Sequence, residues 1–289
     1  MKHIFIINSF TTKEKTDEVK EKLKTYCHNK KIDYVIEVNS LEISTEDIVK
    51  KYKNNNYIII GIGGDGIINR ILNGIINTKN ILGFIPYGTG NDFYKSVKKE
   101  MKEELTSIDV AKINNKYFIN TSCFGIDADV ANNKNIVKTK LIPKKQKYNI
   151  ALIYTFFKYK CREFEVTIDK EKYNDIYTTI AICNGSYYGS GYNIAPISNL
   201  QDGLLDVYLV PKLNKLSMIK LILKMKKGKH QDSDKLKYFK TNKITLKSPK
   251  KVTCNIDGEE LTADTFNIEL IPKGIKIYYN EELLNYLKK

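Results

Sequence analysis

The sequence predicts two domains of different class, a parallel α/β domain followed by an antiparallel β-rich domain. Up to about residue 123, apolar strand-like runs alternate with amphipathic helical segments, which is typical of a parallel sheet covered by helices. From about Lys116 to Tyr279 the runs are short, rich in Tyr and Val, and separated by Asn, Gly and Pro. With 289 residues the chain can form two domains of about 100 to 200 residues each. We therefore assign residues 1–123 to the first domain and 124–279 to the second.

The first domain opens with two strand and helix pairs. The run His3 to Asn8 predicts a strand, and Thr12 to Asn29 predicts a charged amphipathic helix. A second strand is expected at Asp33 to Val38 and a second helix at Ser44 to Lys53. The second domain is expected to contain one helix, at Leu213 to Lys227, among its strands.

A glycine-rich turn follows the third strand, which begins at Ile58. Its glycines would let backbone N–H groups approach a polyphosphate without Cβ atoms in the way, and the helix that starts at Ile67 would point its positive end at the turn. Asp65 is an anion within this turn, so a metal ion or a hydroxyl proton is expected with the phosphate. Alternatively, the glycines serve only tight packing of strand against helix. The nucleotide-binding residues assigned here are Gly63, Gly64, Asp65 and Gly66, with the glycine N–H groups as the phosphate donors.

A second glycine-rich turn, YGTGNDF, follows the strand Ile81 to Pro86. Because both turns lie at the carboxyl ends of parallel strands, they are expected side by side, where nucleotides bind. Asp65 and Asp92 would face one another and hold Mg²⁺ directly or through water. The alternative for Asp92 is a cap on the helix that follows. The nucleotide-binding residues assigned here are Gly88, Thr89, Gly90, Asn91 and Asp92.

Together these motifs resemble the diacylglycerol kinase catalytic family, which includes bacterial soluble lipid kinases and sphingosine kinases. GGDG is followed by P-x-GTGNDF, and the family's order continues with NGSYYGSGYNIAP, QDGLLDV and DGEE. The resemblance covers nearly the whole chain. It implies a Rossmann-like first domain, a sandwich-like second domain and a nucleotide cleft between them, with residues 280–289 packing back on the first domain.

The resemblance also implies an activity and roles for acidic residues. We expect an ATP-dependent, Mg²⁺-requiring lipid kinase that phosphorylates the hydroxyl of diacylglycerol or a similar membrane lipid. In such families the general base is an aspartate in a DGE turn, here Asp257 with Glu259, whereas in sphingosine-kinase-like relatives it is the GGDG aspartate, here Asp65. Both assignments stay open, and a simple hairpin turn is the alternative for DGEE. Asp202 corresponds to a magnesium ligand of similar bacterial kinases, with an Asp-Gly turn as its alternative.

Four positions depart from the family pattern. Ile67 stands where bacterial relatives usually have threonine, and Arg70 where glutamate is common. The first strand ends in Asn8-Ser9 rather than Asn-Pro, which leaves the nucleotide contact of Asn8 open, and Ser190 interrupts a glycine triplet. Two alternatives therefore stay: an NAD kinase-like enzyme, because that family shares GGDG and the two-domain layout, and a catalytically silent nucleotide-binding regulatory protein.

Cysteine usage and hydropathy bear on the compartment. The five cysteines are odd in number and lack metal-ligand spacing, as expected of free thiols in a reducing cytosol. The start, MKHIFIINSF, lacks a signal-peptide core, and no apolar run reaches the roughly 18 residues of a membrane span. We expect a cytoplasmic protein that associates peripherally with the inner face of the membrane.

A formal net charge of +15 favours an anionic partner, although general lysine-rich composition is the alternative. The densest basic stretches run from Lys134 to Lys147 and from Lys212 to Lys229. Nucleic-acid-binding modules are not recognisable, so an anionic bilayer surface is the expected partner and nucleic acid is not. For Lys212 to Lys229 the alternative is an internal helix that packs on a sheet and turns a lysine-rich face to solvent. A homodimer stays open.

Overall fold

The computed structural model describes residues 1–8, 12–88, 90–125, 159, 161–189 and 191–288. The chain forms two compact units, Met1–Ile108 together with Lys273–Lys289, and Asp109–Pro272. These bounds differ from the predicted 1–123 and 124–279 for two reasons. Residues from Asp109 onward pair with strands of the second unit, whereas Ile277 and Tyr278 pair with a strand of the first.

The first unit is a parallel α/β structure, which confirms the predicted alternation of strands and helices. Its strands lie in the order β2-β1-β3-β4, all parallel, and Ile277 and Tyr278 extend this sheet beside β4. The strands are β1 (His3–Ile7), β2 (Tyr34–Val38), β3 (Ile58–Gly63) and β4 (Ile81–Pro86), and the helices are α1 (Lys13–Asn29), α2 (Thr45–Tyr52), α3 (Asp65–Ile75) and α4 (Asp92–Glu100).

The helices of this unit begin in two different ways. Thr12 caps α1 by accepting a hydrogen bond from the Lys15 N–H at 3.4 Å, and Ser44 caps α2 by accepting one from the Asp47 N–H at 3.1 Å. By contrast, the N-cap residues of α3 and α4, Gly64 and Asn91, make no side-chain cap hydrogen bond. Both of these helices start at the glycine-rich turns.

The last helix, α6 (Glu281–Lys288), packs on the first unit. Its leucines join the same buried cluster as Val19 and Leu23 of α1. The Tyr87 hydroxyl donates to the Leu287 carbonyl at 2.8 Å, which ties the second glycine turn to this helix. The end of the chain therefore supports the turn that follows β4.

The second unit is antiparallel and β-rich, as predicted. Its strands run in the order β13-β12-β9-β7-β14-β15, with β8 pairing both β14 and β9, while β5 pairs β15 and β6, and β10 pairs β11. The remaining elements are β5 (Leu105–Ile113), β6 (Lys116–Phe118), β7 (Thr121–Gly125), β8 (Arg162–Ile168), β9 (Glu171–Cys183), β10 (Tyr187–Tyr188), β11 (Tyr192–Asn193), β12 (Leu205–Pro211), α5 (Lys215–Lys226), β13 (Lys237–Thr241), β14 (Lys243–Ile256) and β15 (Glu259–Tyr278).

Strand β12 shows that this sheet is covered on both faces. Val207 and Leu209 join one buried cluster, whereas the intervening Tyr208 and Val210 join another that includes Leu221 and Met225 of α5. Because alternate residues of a strand point to opposite faces, the two clusters lie on opposite sides of the sheet. Helix α5, predicted at 213–227, covers one of them.

None of the described helices combines the length and hydropathy that a membrane span requires. The basic stretch Lys134–Lys147 lies outside the described residues.

The packing of α6 yields a stability prediction. Leu284 is 3% exposed within the cluster that α6 shares with α1. Leu284→Ala is expected to lower the free energy of unfolding by about 2–4 kcal/mol, because the lost methyl groups leave a cavity. Urea denaturation measures this, with the exposed Asn285→Ala as the matched control. An effect of Leu284→Ala no larger than that of the control would contradict the packing.

Candidate functional site

The two glycine-rich turns are in direct backbone contact. The Gly63 carbonyl accepts hydrogen bonds from the N–H groups of Tyr87 at 2.8 Å and Gly88 at 3.1 Å. A Cβ atom on Gly88 would overlap the Cα of Gly64, and one on Gly64 would lie 3.3 Å from the Cα of Gly88. These two glycines therefore let one turn pack directly against the other, and their role in phosphate binding stays a prediction.

Asn91 closes the second turn on itself. Its Oδ1 accepts from the Gly88 N–H at 2.9 Å, its Nδ2 donates to the Gly88 carbonyl at 2.8 Å, and its own backbone is left-handed, with φ 51°. The Gly88 N–H is thus engaged within the protein. Asn91 and Gly88 shape the turn, and Gly90 lies between them in the sequence, while Thr89 lies outside the described residues.

Asp65 links the starts of two helices. It is the first residue of α3, and its carboxylate accepts hydrogen bonds from the backbone N–H groups of Asp92 at 3.1 Å and Phe93 at 3.0 Å. These are the first N–H groups of α4, which lack acceptors within their own helix. Asp65 therefore caps α4 from another element, and this explains why Asn91 provides no side-chain cap.

Asp92 places a second carboxylate close to that of Asp65. Burial, followed by the negative charge of Asp92, raises the pKa of Asp65, while the hydrogen bonds from Phe93 and Asp92 lower it. Asp92 is itself 6% exposed, and its Oδ1 lies 2.9 Å from the Lys95 Nζ. Asp92 is the first residue of α4, and the N-cap position belongs to Asn91, so Asp92 is not the cap. Two neighbouring carboxylates of this kind fit a divalent cation, because Mg²⁺ is usually held by one or two carboxylates together with substrate phosphates.

The start of α3 has the properties of an anion site. Its N-cap is Gly64, which makes no side-chain cap hydrogen bond to the N–H groups of the first turn, and an uncapped helix start of this kind suits an anion. Asn8 lies beside this turn, since its Cβ is 3.2 Å from the position that a Cβ on Gly63 would take.

Two residues of α3 depart from the family pattern. Ile67 is buried, and the Arg70 Nε lies 3.8 Å from Glu46 on α2. Arg70 therefore has a partner away from the turns.

In the second unit, Asp257 holds a backbone turn. Its carboxylate oxygens accept from the N–H groups of Ile119 at 2.9 Å, Asn120 at 3.2 Å and Thr121 at 2.8 Å, and its own N–H donates to the Thr121 carbonyl at 3.0 Å. The residue is 6% exposed. The structure thus gives this carboxylate a positioning role between β6 and β7.

Asp257 and Gly258 also form the hairpin turn that was the alternative for DGEE. Both have positive φ, 47° and 97°, and Ile256 pairs with Glu259 across the two-residue loop. This is the geometry of a type I′ turn, which favours Asp-Gly. Glu259 opens β15 and is half-buried. The hairpin is confirmed, and the role of Asp257 or Glu259 as a base stays a prediction.

Asp202 already has a cationic partner. Its Oδ2 lies 2.6 Å from the Lys240 Nζ, and its Oδ1 accepts from the Leu204 N–H at 3.1 Å, which forms the expected Asp-Gly turn. The same loop is held by Asp109, whose Oδ2 accepts from the Gly203 N–H at 2.8 Å. Asp202 is therefore paired with an ammonium group, and its role as a magnesium ligand stays a prediction.

No group of three or more His, Cys, Asp or Glu side chains in the described ranges is arranged to hold a metal ion. Sequence reasoning missed Lys95, Asp109 and Lys240. Only Lys95 had a local signal, because it follows Asp92 by three residues on a helix.

Comparison with known proteins agrees with both units. Residues 2–117 match the family model of the diacylglycerol kinase catalytic domain, and residues 120–279 match that of the YegS C-terminal NAD kinase beta sandwich-like domain. A diacylglycerol kinase of Bacillus subtilis is 26% identical over 70% of this chain and 71% of its own. A diacylglycerol kinase of Staphylococcus haemolyticus is 27% identical over 83% of this chain and 78% of its own.

A crystal structure of a diacylglycerol kinase from Bacillus anthracis shares the fold, with a TM-score of 0.75 at 20% identity and 98% coverage of both chains. Because the two family models together account for both units, the chain belongs to the diacylglycerol kinase family of lipid kinases.

Proposed function

We propose that this protein is an ATP-dependent lipid kinase that transfers a phosphoryl group to the hydroxyl of diacylglycerol or a similar membrane lipid. The observation that carries the proposal is the Asp65 carboxylate, which joins the starts of α3 and α4 next to a second carboxylate, Asp92. Phosphoryl transfer needs a cradle for phosphates, a divalent cation and a base. The glycine turns and these two aspartates are suited to the first two requirements.

Residues of the two glycine turns would bind the phosphates and the metal ion of the nucleotide. The N–H groups at the start of α3, after Gly64, bind phosphate oxygens, and Asn8 lies beside them. Asp65 and Asp92 would hold Mg²⁺, which neutralises phosphate charge when bound. Because the Asp65 carboxylate is fixed by two backbone N–H groups, its orientation is set before the nucleotide arrives.

The general base is one of Asp257, Glu259 and Asp65. Asp257 is held by three N–H groups, so its orientation is rigid, whereas Glu259 is the first residue of β15 and is half-buried. We place the enzyme in lipid metabolism, in the cytoplasm, with peripheral attachment to the membrane from which its substrate comes.

A panel of acceptors tests the proposed function. Purified protein receives radiolabelled ATP and Mg²⁺ with mixed micelles of diacylglycerol, sphingosine or phosphatidylglycerol, or with NAD. We expect label in phosphatidic acid or another phosphorylated lipid. Label in NADP alone would replace the proposal with an NAD kinase, and no transfer to any acceptor, with ATP still bound, would indicate a silent nucleotide-binding protein.

Asp65→Asn should reduce phosphoryl transfer by about 100-fold or more, because a preorganised charge beside the phosphates is lost. It should also cost about 1 kcal/mol of stability, since an amide cannot accept from both the Asp92 and Phe93 N–H groups. Turnover at saturating Mg²⁺ and urea denaturation measure the two effects. The exposed Asp33→Asn, in the same unit, is the control. Wild-type turnover in Asp65→Asn would remove Asp65 from the active site.

Asp257→Asn and Glu259→Gln separate a base from a positioning residue. We expect Asp257→Asn to lower the free energy of unfolding by about 1–3 kcal/mol, because the amide would leave buried N–H groups unsatisfied. A base variant instead loses kcat with little change in stability or in ATP affinity. Asp264→Asn, at an exposed position of β15, is the control. Unchanged stability of Asp257→Asn would contradict the positioning role.

A further inference from the structure

Helix α5 exposes three apolar side chains on its outer face. Leu216 is 64% exposed, Ile219 is 43% exposed and Leu223 is 59% exposed. Their spacing of three and four residues places them in one row along the helix. We name this row, with the lysines beside it, the α5 face. Its lysines are Lys220, Lys224, Lys226 and Lys227.

The α5 face is not needed to attach the helix to its own unit. Met218, Leu221 and Met225 lie on the opposite side and are 6%, 4% and 7% exposed. Leu221 and Met225 belong to the buried cluster that includes Tyr208 of β12. The helix is therefore anchored by one apolar face and presents a second to its surroundings.

The charged residues of helix α5 itself are of one sign. Helix α5 has the sequence KLSMIKLILKMK, with four lysines and no acidic residue. Within the described ranges no ion pair is made by Lys220, Lys226 or Lys227. In α1, by contrast, lysines pair with acids of the same helix, as Lys22 does with Glu18 and Lys24 with Glu21. General lysine richness therefore does not account for α5.

We propose that the α5 face is a docking surface for an anionic lipid bilayer. An apolar row flanked by lysines suits the membrane interface, where the row enters the boundary between headgroups and acyl chains and the lysines meet lipid phosphates. A second copy of this chain fits less well, because a twofold contact would set the lysines of one copy against those of the other. The apolar row also argues against nucleic acid as the partner.

The α5 face would attach the proposed lipid kinase to the membrane that holds its substrate. The biological purpose of this surface rests on the proposed function, but its binding to a bilayer does not. Vesicle binding is measured without ATP, so its failure and the failure of kinase activity are distinguishable. Conversely, turnover on a short-chain diacylglycerol in solution tests the kinase without the bilayer.

Co-sedimentation with vesicles tests the docking surface. Vesicles of phosphatidylcholine alone are compared with vesicles containing phosphatidylglycerol, at low and high salt. Two double variants are used, Leu216→Ser with Leu223→Ser, and Lys220→Gln with Lys227→Gln. The matched controls replace exposed residues elsewhere: Leu41→Ser with Leu105→Ser, and Lys243→Gln with Lys276→Gln.

Wild-type protein should bind anionic vesicles, more weakly at high salt. The leucine variant should lose about tenfold or more in partitioning, because its apolar row is gone. The lysine variant should lose about 25-fold, at about fivefold for each of its two cations. The controls should bind like wild type, and all variants should keep turnover on the short-chain substrate. Equal binding of the wild-type protein to neutral and anionic vesicles would overturn the proposal. So would wild-type vesicle binding by both α5 variants, or self-association of the protein that only the α5 variants abolish.

Discussion

The constraint on which the candidate site depends is the fixed contact between its two glycine turns. Gly63 and Gly64 touch Tyr87 and Gly88 through backbone atoms alone, and the Asp65 carboxylate caps the helix that follows the second turn. A side chain at Gly88 would separate the turns, and loss of the cap would leave α4 without acceptors. Asp65, the aspartate to which we assign metal binding, is therefore also a structural element, so its charge and its position cannot be changed independently.

The residues around this contact explain how much could be predicted from sequence. Glycine motifs after apolar β-branched runs predicted both turns and their place at the carboxyl ends of β3 and β4, because short apolar strands and glycine turns are local signals. The capping of α4 by Asp65 was not predictable, since it joins residues far apart in sequence. For the same reason the pairing of Asp202 with Lys240 could not be read from the Asp-Gly turn, which was visible.

In the second unit, too, the features set by neighbouring residues could be predicted from sequence, whereas contacts between residues far apart in the chain could not. The Asp-Gly hairpin could be predicted because type I′ turns favour this residue pair. The three N–H groups that hold Asp257 could not, because they belong to Ile119–Thr121, far earlier in the chain. Helix α5 was predicted from its apolar residues. Which of them pack inward depends on the sheet beneath, and only the structure separates Leu221 and Met225 from the exposed Leu216 and Leu223.

In the proposed kinase, the backbone contact between the two turns builds the nucleotide site. Titration calorimetry of Gly88→Ala with Mg²⁺ and a non-hydrolysable ATP analogue tests it most directly. Gly74→Ala is the matched control, because its Cβ would crowd Val49 at 2.6 Å, at the contact of α3 with α2 and away from both turns. The account predicts that Gly88→Ala binds the analogue about 100-fold more weakly or not at all, while Gly74→Ala keeps wild-type affinity with reduced stability. Wild-type affinity in a folded Gly88→Ala would contradict it.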